Sequence, residues 1–278
     1  MTCKTTSFFV AFIGLLITYT PANAAQTEIK SCYNLVNLDD VAIPTKKREL
    51  IIAVDQTVEF DKSVQEHTFK KIQQFLRPGD NVKLITFSAY VQGNFTDILF
   101  SGQLDSQLDD EVRYDISKKS LKSLDHCYSL QNKAVREGVG KTLLTAFSNA
   151  SSKVPNTELI DNLSLISKTL YNDATIEKRY LLIVSDMMEH SSLTSFYKSG
   201  SLKKLSPEIE LSKIQKAGLE FDLKQANVFV IGAAYSKNGK YRSGEEIRNF
   251  TTFWQQFFQQ SNATLNSFGT PILLQDIE

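Results

Sequence analysis

The chain has 278 residues with 31 basic and 31 acidic side chains, and 42% of it is apolar. Charge this evenly balanced, with no clustered basic stretch, excludes the electrostatic footprint that nucleic-acid binding needs. The apolar content is enough for one substantial core, and the length suits a single α/β domain carrying insertions.

Met1 to Ala24 reads as a secretory signal peptide: Lys4 gives the charged start, Phe8 to Ile17 the apolar run, and Ala22-Asn23-Ala24 the cleavage site. The run is well short of the ~20 apolar residues that cross a bilayer, and no later stretch is longer. The mature chain is therefore expected to be exported, to the bacterial periplasm or beyond, and not to be an integral membrane protein. Residues 25–46 form a polar N-terminal extension, and 47–278 read as one α/β domain without internal repeats. Cys32 and Cys127 outlast cleavage. An isolated pair in an oxidising compartment most simply forms one disulfide, with a reactive thiol at Cys127 beside His126 as the alternative.

The first strand spans Glu49 to Val54 and runs into Asp55-Gln56-Thr57. A helix from about Asp61 to Leu76 places Val64, Thr68, Ile72 and Phe75 on one stripe, and Pro78-Gly79 stops it. Strands are expected over Asn81 to Tyr90 and Asn94 to Leu104. Leu108 to Asn132 shows no regular period and reads as a surface insertion, near 105–132, before a helix from about Lys133 to Ser148. Val154-Pro155-Asn156 breaks the chain ahead of a helix from Glu158 to Leu170. The apolar run Tyr180 to Val184 is a buried strand that ends in Ser185-Asp186. A second insertion, 187–206, is rich in Ser, Lys and Gly. Pro207 opens a helix to about Gly218, Asn227 to Ala233 is a central strand, and Gly244 to Gln260 is a helix. Its aromatic stripe, which includes Phe250, Trp254, Phe257 and Phe258, is expected to face the sheet. A last strand, interrupted near Gly269, runs from about Thr264 to Leu274.

Alternating strands and helices predict a doubly wound, mostly parallel sheet with helices on both faces. In such a sheet the strand C-termini line the crevice where ligands bind, so Asp55 and Asp186 are expected to converge there. Thr57 and Thr157 add hydroxyls on the same rim, which makes an all-oxygen site suited to Mg²⁺ or Mn²⁺. Threonine at a helix entry is also a routine N-cap, so Thr157 has two readings.

Strand, Asp-x-Thr, helix, a distant Thr at a helix start, then strand and Ser-Asp: this order resembles the von Willebrand factor type A domain with its metal-ion-dependent adhesion site. The resemblance covers roughly Lys47 to Leu274, and Leu76-Arg77-Pro78-Gly79-Asp80 and Phe253-Trp254-Gln255-Gln256-Phe257-Phe258 resemble a bacterial exported branch. It implies metal ligation by Asp55, Thr57, Thr157 and Asp186, leaving one coordination position for a partner protein's carboxylate. Where the family motif has its second serine the chain has Glu59, which would coordinate the ion, take the place of a ligand carboxylate, or point away. Where the family commonly has glycine after the last aspartate the chain has Met187, and with Glu189 and His190 this predicts a bulkier, more acidic rim for a partner. Binding without catalysis is the reading that follows. The alternatives are a metal-independent scaffold or assembly component of an envelope or secretion system, and a metal-dependent phosphohydrolase with Asp55 as nucleophile. The second is disfavoured by the lack of an Asp-x-Asp motif and of any G-x-S-x-G elbow or P-loop.

Overall fold

The computed structural model describes residues 29–38, 41, 48–88, 97–153, 157–169, 173–198, 201–236 and 243–278; the expected signal peptide lies outside them. In chain order the elements are α1 (Cys32–Leu35), β1 (Arg48–Asp55), α2 (Lys62–Phe75), β2 (Asp80–Phe87), β3 (Asp97–Gln103), α3 (Asp110–Tyr114), α4 (Lys118–Asn149), α5 (Leu159–Thr169), β4 (Lys178–Val184), β5 (Tyr197–Lys198), β6 (Ser201–Leu202), α6 (Pro207–Lys216), β7 (Ala226–Ile231), α7 (Gly244–Gln260) and β8 (Ala263–Phe268). Six strands form one sheet in the order β3-β2-β1-β4-β7-β8, and β5-β6 is a separate two-stranded ribbon. Every neighbouring pair in the large sheet is parallel except β2-β3. The expected α/β architecture is therefore present, with β1 and β4 side by side at the point where the strand order reverses.

Side-chain alternation divides the core. Leu50, Ile52 and Val54 of β1 pack with Val64, Ile72 and Phe75 of α2 and Val135, Val139 and Leu143 of α4. Ile51 and Ala53 face the other way, toward Leu159 and Leu163 of α5, Leu211 and Ile214 of α6, and the aromatic side of α7. The middles of strands buried on both faces are apolar, as in residues 50–54 of β1, 180–184 of β4 and 228–231 of β7, which makes them readable as runs. The helices start where their caps allow. Asp61 accepts from Val64 N at the head of α2, and Ser243 with Glu246 closes a capping box on α7. Phe250, Trp254, Phe257 and Phe258 are buried as their spacing predicts, and Phe253 joins them. Among the described residues no helix is long and apolar enough to cross a membrane.

Two expectations are corrected. Most of the stretch expected to be irregular is helical: α4 runs unbroken from Lys118 to Asn149. Its first half turns a stripe at helical spacing inward, with Leu124 and Gln131 buried and Cys127 and Tyr128 partly so, too poor in aliphatic residues to show as a period. The last strand ends at Phe268, and Gly269 and Pro271 turn back so that their carbonyls accept from Ala233 N and Gly232 N. Within the insertion at 187–206, His190 forms isolated bridges to Thr157 and Ser195, and the β5-β6 ribbon lies beyond.

Cys32 and Cys127 are bonded to each other across 95 residues of sequence, pinning α1 to α4. The junction has its own small core of Tyr33, Leu108 and Leu124. Asp105 Oδ2 accepts from Ser31 Oγ, Cys32 N and Gln131 Nε2, while the Tyr33 hydroxyl donates to the Ser106 carbonyl and receives the Tyr128 hydroxyl at 2.8 Å. A cross-link closing so long a loop removes much unfolded-state entropy. Replacing Cys32 and Cys127 together by serine should therefore cost about 2–4 kcal/mol of stability. Denaturant melts with and without reductant test this; a midpoint indifferent to both would refute it.

Candidate functional site

β1 delivers Asp55 to the C-terminal edge of the sheet, fully buried, and the chain then turns through Gln56 and Thr57. Gln56 N donates to the Phe87 carbonyl at the end of β2, and Gln56 Nε2 to the Ala146 carbonyl of α4, which fixes the turn. Asp55 is surrounded by donors. Oδ1 accepts from Thr57 N at 2.8 Å and Thr57 Oγ1 at 2.6 Å, and Oδ2 accepts from Ser185 Oγ at 2.7 Å. Thr57 Oγ1 lies 2.8 Å from Thr157 Oγ1; its own proton is committed to Asp55, so Thr157 is the donor. One hydrogen-bonded chain, Thr157 to Thr57 to Asp55 to Ser185, thus joins loops that follow β1, precede α5 and follow β4. Burial pushes the Asp55 carboxyl above its ordinary pKa, held back by the bonds from Thr57 and Ser185.

Asp186 follows Ser185 directly. Its Oδ1 accepts from Met188 N at 2.9 Å and its Oδ2 lies 3.4 Å from the Tyr197 hydroxyl, while its carbonyl accepts from Ala234 N beyond β7. Close approach of strands here depends on Gly232, where a Cβ would come within 2.5 Å of the Phe60 ring and 3.1 Å of the Ser185 carbonyl.

Thr157 is held by both its side chain and its backbone. Its hydroxyl is engaged with Thr57, and its backbone exchanges both hydrogen bonds with His190. The first turn of α5 is served instead by Glu189, whose Oε2 accepts from Ile160 N at 3.0 Å. That oxygen meets one of the N–H groups that the first turn of a helix leaves without an intrahelical partner.

Other expected site residues are placed differently. Glu59 turns to the loop after α4, where its Oε1 accepts from Ser152 N and Ser152 Oγ, and it does not join the Asp55 chain. Met187 and Glu189, expected on the rim, are both buried. Met187 lies in the apolar layer against α5 and α7, and its carbonyl accepts from Trp254 Nε1 at 3.2 Å. Only His190 of the three is partly open to solvent, with Nδ1 2.9 Å from Ser195 Oγ. Ser185 and Tyr197 belong to the cluster and were not singled out from sequence. Register could have found Ser185, since Val54 and Val184 are partners and Ser185 is therefore level with Asp55. Tyr197 is brought in by a loop that leaves no periodic trace.

The donor set is chemically uniform: two carboxylates and the hydroxyls of Thr57, Thr157 and Ser185 are all hard oxygen ligands, with no nitrogen or sulfur. That suits a small hard cation that keeps part of its water shell. Among the described residues no group of three or more His, Cys, Asp or Glu could hold a metal, so any ion here would depend on hydroxyls and water as much as on carboxylates.

No protein-family model matches the chain, and no curated protein matches it. Among solved structures it is similar to an aerotolerance-related membrane protein from Bacteroides fragilis NCTC 9343, with TM-score 0.31 and 13% identity over 82% of this chain and 91% of that one. It is also similar to the conserved hypothetical protein BatB from Bacteroides thetaiotaomicron, with TM-score 0.32 and 11% identity over 81% and 91% of the two chains. A third likeness, to the pilus adhesin SpaC from Lactobacillus rhamnosus GG, has TM-score 0.39 and 14% identity, covering 75% of this chain and 27% of the adhesin.

Two outcomes test the site's energetics. Burial drives the Glu189 carboxyl up to about 8, reinforced by Asp161 and Glu158 and opposed by bonds from Ser191 and Ile160 N. The unfolded chain releases this proton at the ordinary, lower pKa. Stability is therefore full below about pH 4.5, falls as pH rises, and levels off above about 8. Glu189→Gln should flatten this decline in a series of thermal melts, and an identical slope in the variant would refute the assignment. Met187 has φ +62°, a left-handed conformation that costs a non-glycine residue about 1–2 kcal/mol. Its buried side chain outweighs this, since truncating a buried Met costs about 2–5 kcal/mol. Met187→Gly should lower the unfolding midpoint; a more stable variant would mean that strain dominates.

Proposed function

We propose that the chain is an exported protein-binding module with a degenerate metal-ion-dependent adhesion site. The observation that carries this reading is the hydrogen-bonded chain from Thr157 through Thr57 and Asp55 to Ser185. It joins, at the reversal of strand order, Thr157, Thr57 and Asp55, three of the four residues that the likeness to von Willebrand factor type A domains implies; the fourth, Asp186, follows Ser185 in the chain. A fully buried carboxylate there is surrounded by neutral hydroxyl donors, a setting that a divalent cation would stabilise. Asp55, Thr57, Thr157 and Asp186 would hold Mg²⁺ or Mn²⁺ directly or through water, with Ser185 orienting Asp55. The bound ion would bridge to a carboxylate on a partner protein. Glu59, engaged by Ser152, is left out of this set. The Cys32–Cys127 disulfide fits an oxidising compartment, which supports the periplasm or cell exterior as the place of action.

A second reading is a metal-independent scaffold or assembly component. It is favoured by the self-sufficiency of the site, where Asp55 and Asp186 both have protein donors and Met187 and Glu189 are sealed into the interior. The two readings differ in their response to metal. An ion that binds only the folded chain at 100 times its Kd adds about 2.7 kcal/mol of apparent stability. Under the ion-bridged reading, Mg²⁺ or Mn²⁺ raises the melting temperature, chelator reverses the rise, and Asp55→Asn and Asp186→Ala abolish it. A wild-type melt blind to both ions would favour the scaffold.

A further inference from the structure

Tyr197 opens the β5-β6 ribbon and is 37% exposed, yet it is tied to the site at both ends. Its hydroxyl lies 3.4 Å from Asp186 Oδ2, and its ring meets the His190 ring edge-on at 5.7 Å between centroids. Its backbone N–H donates to Ser195 Oγ at 3.2 Å, and the same oxygen lies 2.9 Å from His190 Nδ1. His190 in turn exchanges both backbone hydrogen bonds with Thr157. Tyr197, His190 and Ser195 therefore form an arch from Asp186 to Thr157, the two candidate ligands furthest along the chain from β1.

We propose that Tyr197 is a latch that competes with the divalent cation for Asp186, and so sets the affinity of the site without being a ligand. This rests on the ion-bridged reading above. A carboxylate oxygen that accepts an O–H directs electron density to that proton, and a hydrogen bond to a charged acceptor is stronger than one between neutral groups. An ion that takes the Oδ2 lone pair facing Tyr197 must displace this bond, and apparent affinity falls by the fraction of molecules in which that lone pair is free. The half-open position of the tyrosine makes release inexpensive, because water can satisfy its hydroxyl once the ring swings out. The opposite role would be a positioning residue that holds Asp186 ready for the ion; removing its hydroxyl would then weaken binding. The two roles predict opposite signs.

The chain supplies its own reporter. Trp254 is its single tryptophan, and its Nε1 donates to the carbonyl of Met187, the residue after Asp186. Titrating the chain with MgCl₂ and MnCl₂, read by tryptophan fluorescence and by calorimetry, gives ion affinity without any partner. Tyr197→Phe should bind about two- to threefold tighter than wild type, the scale of one long hydrogen bond. His190→Ala, which removes the ring that steadies Tyr197, should shift affinity the same way and serves if the first variant fails to fold. Binding that is unchanged or weaker in both variants overturns the latch and leaves the ion site standing. Absence of binding in wild type and variants alike overturns the ion-bridged reading and the latch with it.

Discussion

A buried carboxylate at the end of β1 sets the terms for everything around it. Asp55 has no contact with solvent, so both its oxygens must be met by protein donors, and an unmet one would cost several kcal/mol. Its donors come from its own turn, Thr57, and from Ser185 beyond β4, 130 residues away. The requirement couples two strand ends across the sheet, and through the Thr57 hydroxyl it extends to Thr157 at the head of α5. Strand register makes this possible, because parallel pairing of Val54 with Val184 leaves the next residues on each strand level.

Around that centre the loops are held by a second set of buried polar contacts. Glu189 caps α5 from outside the helix while its neighbours Met187 and Met188 fill the apolar layer beneath. Toward Tyr197 the rim is partly open to water. The described part of the N-terminal segment packs against α4 and the chain around Asp105, its disulfide joining α1 to the first half of α4.

The sequence by itself determined the strands buried on both faces, because residues 50–54, 180–184 and 228–231 are unbroken apolar runs. It also determined α7, whose aromatic residues recur at the helical period, and the pairing of Cys32 with Cys127, the two cysteines left after the expected leader. The positions of Asp55 and Asp186 at strand ends followed from those runs. Tertiary structure decided the rest. The start of α4 is helical because Leu124, Cys127, Tyr128 and Gln131 meet α1 and the chain around Asp105, a face that exists only once the disulfide segment has docked. Glu59 left the expected ligand set for Ser152, and Met187 and Glu189 left the rim for the interior, because α5 and α7 offer a helix end and an apolar layer to receive them. Those choices depend on contacts between residues tens of positions apart, and a linear pattern carries no record of them.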